Sequence, residues 1–200
     1  MGITAAQIKE LREETGAGVL DCRNALEATG GDMGKATLQL REKGLAAAAK
    51  RAEREVKSGV IDLYSHGDGR VGVMVEVNCE TDFVARTKEF RHFAHELALQ
   101  VAAASPRFVR PEDVPAEIVS EEREKARRLA LDEGKPERIV DKIIEGRLDK
   151  FYDDQCLVRQ VYIRDDAKRV GDLLQEMVAT TGENVVIRRF ARWAIGDDGD

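Results

Sequence analysis

Hydrophobic positions along the chain change their period twice. Over the first 44 residues they recur at helical spacing between glycines, which predicts three short helices. Thr4 and Gln7 form a capping box before the first helix, and Ile3 and Ile8 stand where a hydrophobic staple falls. Gly16 and Gly18 end that helix and start a tight turn. The second helix covers residues 20–28 and stops at Gly30-Gly31, and Asp32 caps a third that runs to Gly44. Residues 45–56, rich in Ala, Lys, Arg and Glu, read as a helical linker.

Beyond the linker the period falls to two. Residues 60–65 and 71–79 flank Gly67-Asp68-Gly69, a hairpin signal, and Val71, Val73, Val75 and Val77 alternate onto one buried sheet face. Helical spacing then returns, with Phe90, Phe93, Ala94, Leu97 and Val101 on one stripe. Pro106 and Pro111 break the chain before a highly charged helix over residues 116–133. Pro136 opens the next helix, with Ile139, Ile143 and Ile144 facing inward. Residues 156–163 read as a strand, 170–178 as a helix and 185–195 as the last strand. The order predicts an α+β fold, an antiparallel sheet with helices packed on one face. The expected parts are a helical module (residues 1–44), a helical linker (45–57), an α+β core (58–196) and an acidic tail (197–200).

Composition narrows the classes. Charged residues make up 35% of the 200 and the net charge is -6, so the excess charge lies on helix surfaces and a general nucleic-acid footprint is disfavoured. Cys22, Cys79 and Cys156 are odd in number and widely spaced, which predicts reduced, buried thiols rather than a disulfide framework or a zinc site. The opening residues carry no signal-peptide pattern, and the longest apolar run, residues 45–49, is too short to span a bilayer. A cytoplasmic protein with no membrane association follows.

Gly67-Asp68-Gly69-Arg70-Val71-Gly72 satisfies G-x-G-x-x-G, but a strand follows where a dinucleotide site needs a helix N-terminus, so a hairpin turn is expected. His92 and His95 stand one helical turn apart, and with only His66 besides they read as surface or boundary residues. No nucleophile or carboxylate pair is framed by a motif, so no catalytic residue and no cofactor are expected. In Glu80-Thr81-Asp82-Phe83-Val84, Thr81 and Asp82 suit a cap at a strand-to-helix junction. Phe83 lies seven residues before Phe90, which puts it on the buried stripe; the competing reading is an exposed aromatic anchor at a helix start.

The stretch Asn78-Cys79-Glu80-Thr81-Asp82-Phe83-Val84 resembles the central signature of the translation elongation factor Ts (EF-Ts) family. The N-terminal signature resembles Leu11-Arg12 through Thr15-Gly16-Ala17-Gly18 to Asp21-Cys22-Arg23 and Leu26. The likeness continues in Gly134-Lys135-Pro136, Ile144-Glu145-Gly146-Arg147-Leu148 and Gly182-Glu183-Asn184-Val185. Arg23 stands where the family usually has Lys, and Val161-Tyr162 where Pro-Phe is common.

The resemblance implies a nucleotide exchange factor, not an enzyme. Its partner would be the GTPase EF-Tu, in GDP-bound and nucleotide-free forms, and no metal or cofactor is needed. It implies that Thr81, Asp82, Phe83 and Val84 enter the GTPase domain and disturb its magnesium site, with Phe83 as the wedge. It also implies a ubiquitin-associated-like N-terminal bundle gripping the GTPase through Arg12, Leu20 and Arg23, with Arg51 in the linker that follows. Longer relatives carry two core subdomains, and this chain has room for one, so residues 58–196 are expected to form a homodimer. The alternative is an RNA-binding accessory module using Arg188, Arg189 and Arg192 or Lys50, Arg51 and Arg54. The acidic balance and the lack of an aromatic platform count against direct nucleic-acid binding.

Overall fold

The computed structural model describes residues 2–197, without the side chains of Arg41 and residues 45–49, so most of the acidic tail lies outside the described residues. The helices are α1 (Ala5–Thr15), α2 (Val19–Ala28), α3 (Met33–Arg51), α4 (Asp82–Ala85), α5 (Lys88–Ala104), α6 (Ala116–Asp132), α7 (Glu137–Gln155) and α8 (Val170–Thr181). The strands are β1 (Ser58–His66), β2 (Val71–Cys79), β3 (Val161–Tyr162), β4 (Asp165–Arg169) and β5 (Val185–Ala194). One sheet has the order β1-β2-β5, and β3 pairs antiparallel with β4. The chain is therefore α+β. It forms two compact units, each assembled from separate stretches: Met1–Asp62 with Glu76–Ala94 and Asp172–Arg188, and Leu63–Val75 with His95–Gly171 and Arg189–Asp200.

In the first unit the capping box is present. The Thr4 side chain accepts from the Gln7 amide and the Gln7 side chain accepts from the Thr4 amide, satisfying two orphan donors. Leu11, Cys22, Ala25, Leu26, Ala36 and Leu40 form one buried cluster from α1, α2 and α3, with Ile3 and Ile8 packed against it. Complete burial of Leu11 and Leu26 contributes about 1.5–3 kcal/mol each. Helix α3 continues through Gly44 to Arg51, so the stretch read as a helical linker is helix only in its first half.

The stripe of α5 is buried as its spacing predicted, and so are Val73, Val75 and Val77 on β2. The glycine-rich stretch is the expected hairpin turn, closed by the Arg70 amide donating to the Gly67 carbonyl. In the second unit α6 and α7 enclose a cluster of their own, formed by Ala126, Ala130, Val140, Ile144 and Leu148. Ile139, expected inside, is exposed at the start of α7.

Residues 156–163 are not the strand their apolar run predicted. Cys156 makes an isolated parallel bridge with Phe108, Leu157–Arg159 is a 3-10 turn, and Val161–Tyr162 is a two-residue strand paired with β4, with a register irregularity between the two residues. The reason is a pair of buried glutamines. Gln100 donates to the Gln160 side chain and the Val161 carbonyl and accepts from the Ile163 amide, while Gln160 donates to the Ala104 and Asp154 carbonyls. These bonds satisfy the backbone where a ladder otherwise would.

Beside them Glu96, only 6% exposed, accepts from the Tyr162 hydroxyl and the Arg164 guanidinium, each at 2.5 Å. Burial and then the bond to Glu96 push the Tyr162 hydroxyl up to about 12. A raised pKa means stability complete below the unfolded value near 10 and lost as pH climbs toward 12. Melting curves should therefore show Tyr162→Phe losing less stability than wild type between pH 10 and 12. Parallel curves would show that this hydroxyl does not titrate as a buried donor.

Candidate functional site

Strand β2 ends at Cys79, and the chain turns through Glu80 and Thr81 into the four-residue helix α4. Thr81 has extended backbone angles and is the N-cap, its side chain accepting from the Val84 amide at 3.3 Å. Val84 and Ala85 are buried and anchor the helix from beneath. Phe83 is 78% exposed, and Asp82 is exposed beside it, paired with Arg86 at 2.8 Å. The short helix thus presents one aromatic ring outward and has its other face seated in the protein.

Helical periodicity had also allowed Phe83 a place on the α5 stripe. That extrapolation fails because the helix breaks. Arg86 caps α4, the Thr87 hydroxyl donates back to the Val84 carbonyl, and the same oxygen accepts from the Phe90 amide to start α5. The two phenylalanines belong to different helices, so the interval of seven carries no common face.

Thr81 is held from far along the chain. Its amide donates to Glu183 Oε2 at 3.0 Å and its hydroxyl to Glu183 Oε1 at 2.6 Å. The neighbouring Asn184 amide donates to Glu80 Oε1 at 2.6 Å, and the Asn184 side chain donates to the carbonyls of Arg54 and Ala52 at 2.8 and 3.3 Å. Burial, then the charge of Glu183, pushes the Cys79 thiol up to about 11, so at neutral pH it stays protonated and donates to the Thr81 carbonyl at 3.2 Å. Glu183 and Asn184 were quoted from the sequence only within a longer likeness. Their one local signal is a polar pair after a turn glycine, Gly182, between a helix and a strand.

The remaining candidates lie on the first three helices. Leu20, 69% exposed, and Arg23 share one side of α2 by their i, i+3 spacing. Arg23 pairs with Glu27 at 2.8 Å, and this bond raises its pKa further. Arg12 is exposed in the last turn of α1, and Arg51 is half-buried at the end of α3. Val19 and Leu38 are exposed apolar residues of α2 and α3 that sequence reasoning passed over.

Other chemistries find little footing. Cys22, Cys79 and Cys156 are free and buried. Among the described residues no cluster of three His, Cys, Asp or Glu side chains is arranged to hold a metal ion, and no helix is long and apolar enough to cross a membrane. Of the basic residues an RNA-binding reading would use, Arg54 pairs with Glu80 and Arg192 with Asp197.

The profile described as Elongation factor TS matches residues 32–197. Elongation factor Ts of Caldanaerobacter subterraneus subsp. tengcongensis is 57% identical over 195 residues, covering 98% of both chains. Elongation factor Ts of Coprothermobacter proteolyticus is 53% identical over 197 residues, covering 98% of this chain and 100% of its own. These two likenesses extend across the helices ahead of residue 32. A short helix with an outward phenylalanine, a likeness from end to end and the matching profile lead to one conclusion: the chain belongs to the elongation factor Ts family.

Proposed function

We propose that the chain is the guanine nucleotide exchange factor of EF-Tu, binding EF-Tu·GDP and promoting GDP release so that GTP can enter. The observation that carries this reading is Phe83, an exposed aromatic on a helix whose other face is buried. Linkage supplies the mechanism. A protein that binds the nucleotide-free GTPase more tightly must weaken nucleotide binding by the same factor. Phe83 would wedge into the GTPase domain, with Asp82 competing electrostatically beside it, and displace the magnesium ion that compensates the diphosphate charge. No bond is made or broken by this chain, and it uses no cofactor of its own.

The helices α1–α3 serve in this reading as a ubiquitin-associated-like bundle that grips the GTPase through Arg12, Leu20 and Arg23, with Arg51 at its exit. Leu20 has the character of the anchor, being a large apolar side chain left in water. The place of work is the cytoplasm, with no direct contact to nucleic acid. Substoichiometric protein should accelerate release of labelled GDP from EF-Tu, and an unchanged release rate would end the proposal.

A homodimer completes it. Leu63, Met74 and Trp193 are exposed on β1, β2 and β5 of one sheet, and Ile195 is exposed in the turn just after β5, uncovered apolar side chains of the kind that mark a protein interface. A two-fold axis would cover the same patch on both copies. Trp193→Glu should convert a dimer mass in light scattering to a monomer mass at micromolar concentration. A wild-type protein that is already monomeric would refute the pairing.

A further inference from the structure

We infer that Glu183 is a positioning residue for nucleotide exchange, acting through Thr81 to fix the direction in which α4 presents Phe83, with Asn184 locking the same junction. The inference rests on the exchange reading above and adds to it the group that aims the wedge.

The geometry uses both carboxylate oxygens. One accepts from the Thr81 amide and the other from its hydroxyl, at 3.0 and 2.6 Å. Because that hydroxyl gives its proton to Glu183, its oxygen is left to accept from the Val84 amide and cap the helix. The cap is therefore oriented by the glutamate, and hydrogen bonds to an ionised acceptor are about twice as strong as neutral ones. The preceding residue is held in the opposite sense, with Glu80 accepting from the Asn184 amide while Arg54 closes on the same Glu80 oxygen at 3.4 Å. Asn184, 6% exposed, ties in the carbonyls of Ala52 and Arg54. Gly182 makes the presentation possible: its φ of 70° turns the chain at once out of α8, a conformation disfavoured for other residues.

A wedge works only if it does not yield when pushed. Val84 and Ala85 seat α4 from beneath, but the strand-to-helix corner at Thr81 sets its angle, and small misplacements of a working group lower rates steeply. Affinity depends on the wider contact surface, whereas the maximal rate depends on how rigidly Phe83 is offered. The effect of losing Glu183 should thus fall on the plateau of stimulated release and not on the half-saturating concentration.

The test is labelled-GDP release from EF-Tu at rising concentrations of the full-length protein. Glu183→Ala should lower the plateau by about tenfold, equivalent to about 1.4 kcal/mol of barrier. Its half-saturating concentration should stay within about twofold of wild type. Glu183→Gln should recover most of the loss, since its amide can accept from the Thr81 N–H and donate to the Thr81 oxygen. In a Phe83→Ala background Glu183→Ala should have no further effect, because a positioning residue has nothing left to position. If Glu183→Ala melts below the assay temperature, Thr81→Val replaces it in the same cycle and removes the hydroxyl bond from the other side. An unchanged plateau, no recovery in Glu183→Gln, or additive losses in the double variant would overturn the inference. A wild-type protein that does not accelerate release overturns the exchange reading itself, and this inference with it.

Discussion

Phe83→Ala should lower the stimulated rate of GDP release by roughly 30-fold or more, the range expected when a central aromatic anchor worth about 2–4 kcal/mol is truncated. The melting temperature should hardly move. With 78% of its surface already in water, the ring contributes little to folding. Substitutions at such sites change stability by about 0.5 kcal/mol or less, which is within about 2 °C for a chain of this size. Stopped-flow release and a thermal melt on the same preparation separate the two effects. A collapse in melting temperature would return Phe83 to the core, and an intact release rate would remove it from the site. Asp82→Ala should be milder, since it gives up an exposed pair with Arg86 while the ring remains.

The second large effect concerns the scaffold. Gly59→Ala should destabilise the protein by about 3 kcal/mol or more, beyond ordinary overpacking, and lower its melting temperature by roughly 6 °C or more. A β-carbon at Gly59 would lie 2.3 Å from the Val77 carbonyl oxygen and 2.9 Å from the Asn78 Cα, so β1 and β2 would have to separate. Backbone atoms at that distance have no rotamer through which to yield. Gly72→Ala in the next strand is the control, because a β-carbon there meets nothing within 4 Å. Differential scanning calorimetry on the two variants decides it, and equal melting temperatures would show that the strands do not approach so closely. Unlike Phe83→Ala, the Gly59 variant should lose exchange activity only in proportion to its unfolded fraction.

What the residues disclosed on their own was whatever local rules govern. Thr4 and Gln7 cap α1 as their spacing requires, and the alternation from Val73 to Val77 reaches the core intact. The same rules misread residues 156–163, where apolar content looked like a strand and the decisive groups were Gln100 and Gln160, the first 60 positions away. Nor could periodicity reveal that α4 and α5 are separate helices, since the break depends on how Thr87 spends its hydroxyl. The segment at residues 81–84 was legible as a family signature. Its support from Glu183 was not, because a glutamate after a turn looks like any solvated charge until the fold brings Thr81 to it.

The span between those two residues orders events during synthesis. Thr81 and Glu183 are 102 positions apart. At about 5–20 residues per second, the ring of Phe83 emerges on the order of 5–20 s before the carboxylate that steadies its helix. During that interval the corner that carries Phe83 lacks the two hydrogen bonds that Thr81 donates to Glu183. Under the roles proposed for Phe83 and Glu183, competence in exchange arrives late and all together, when the turn after α8 swings into place, and a chain cut short before Glu183, with α1–α3 already made, would occupy the GTPase without opening it.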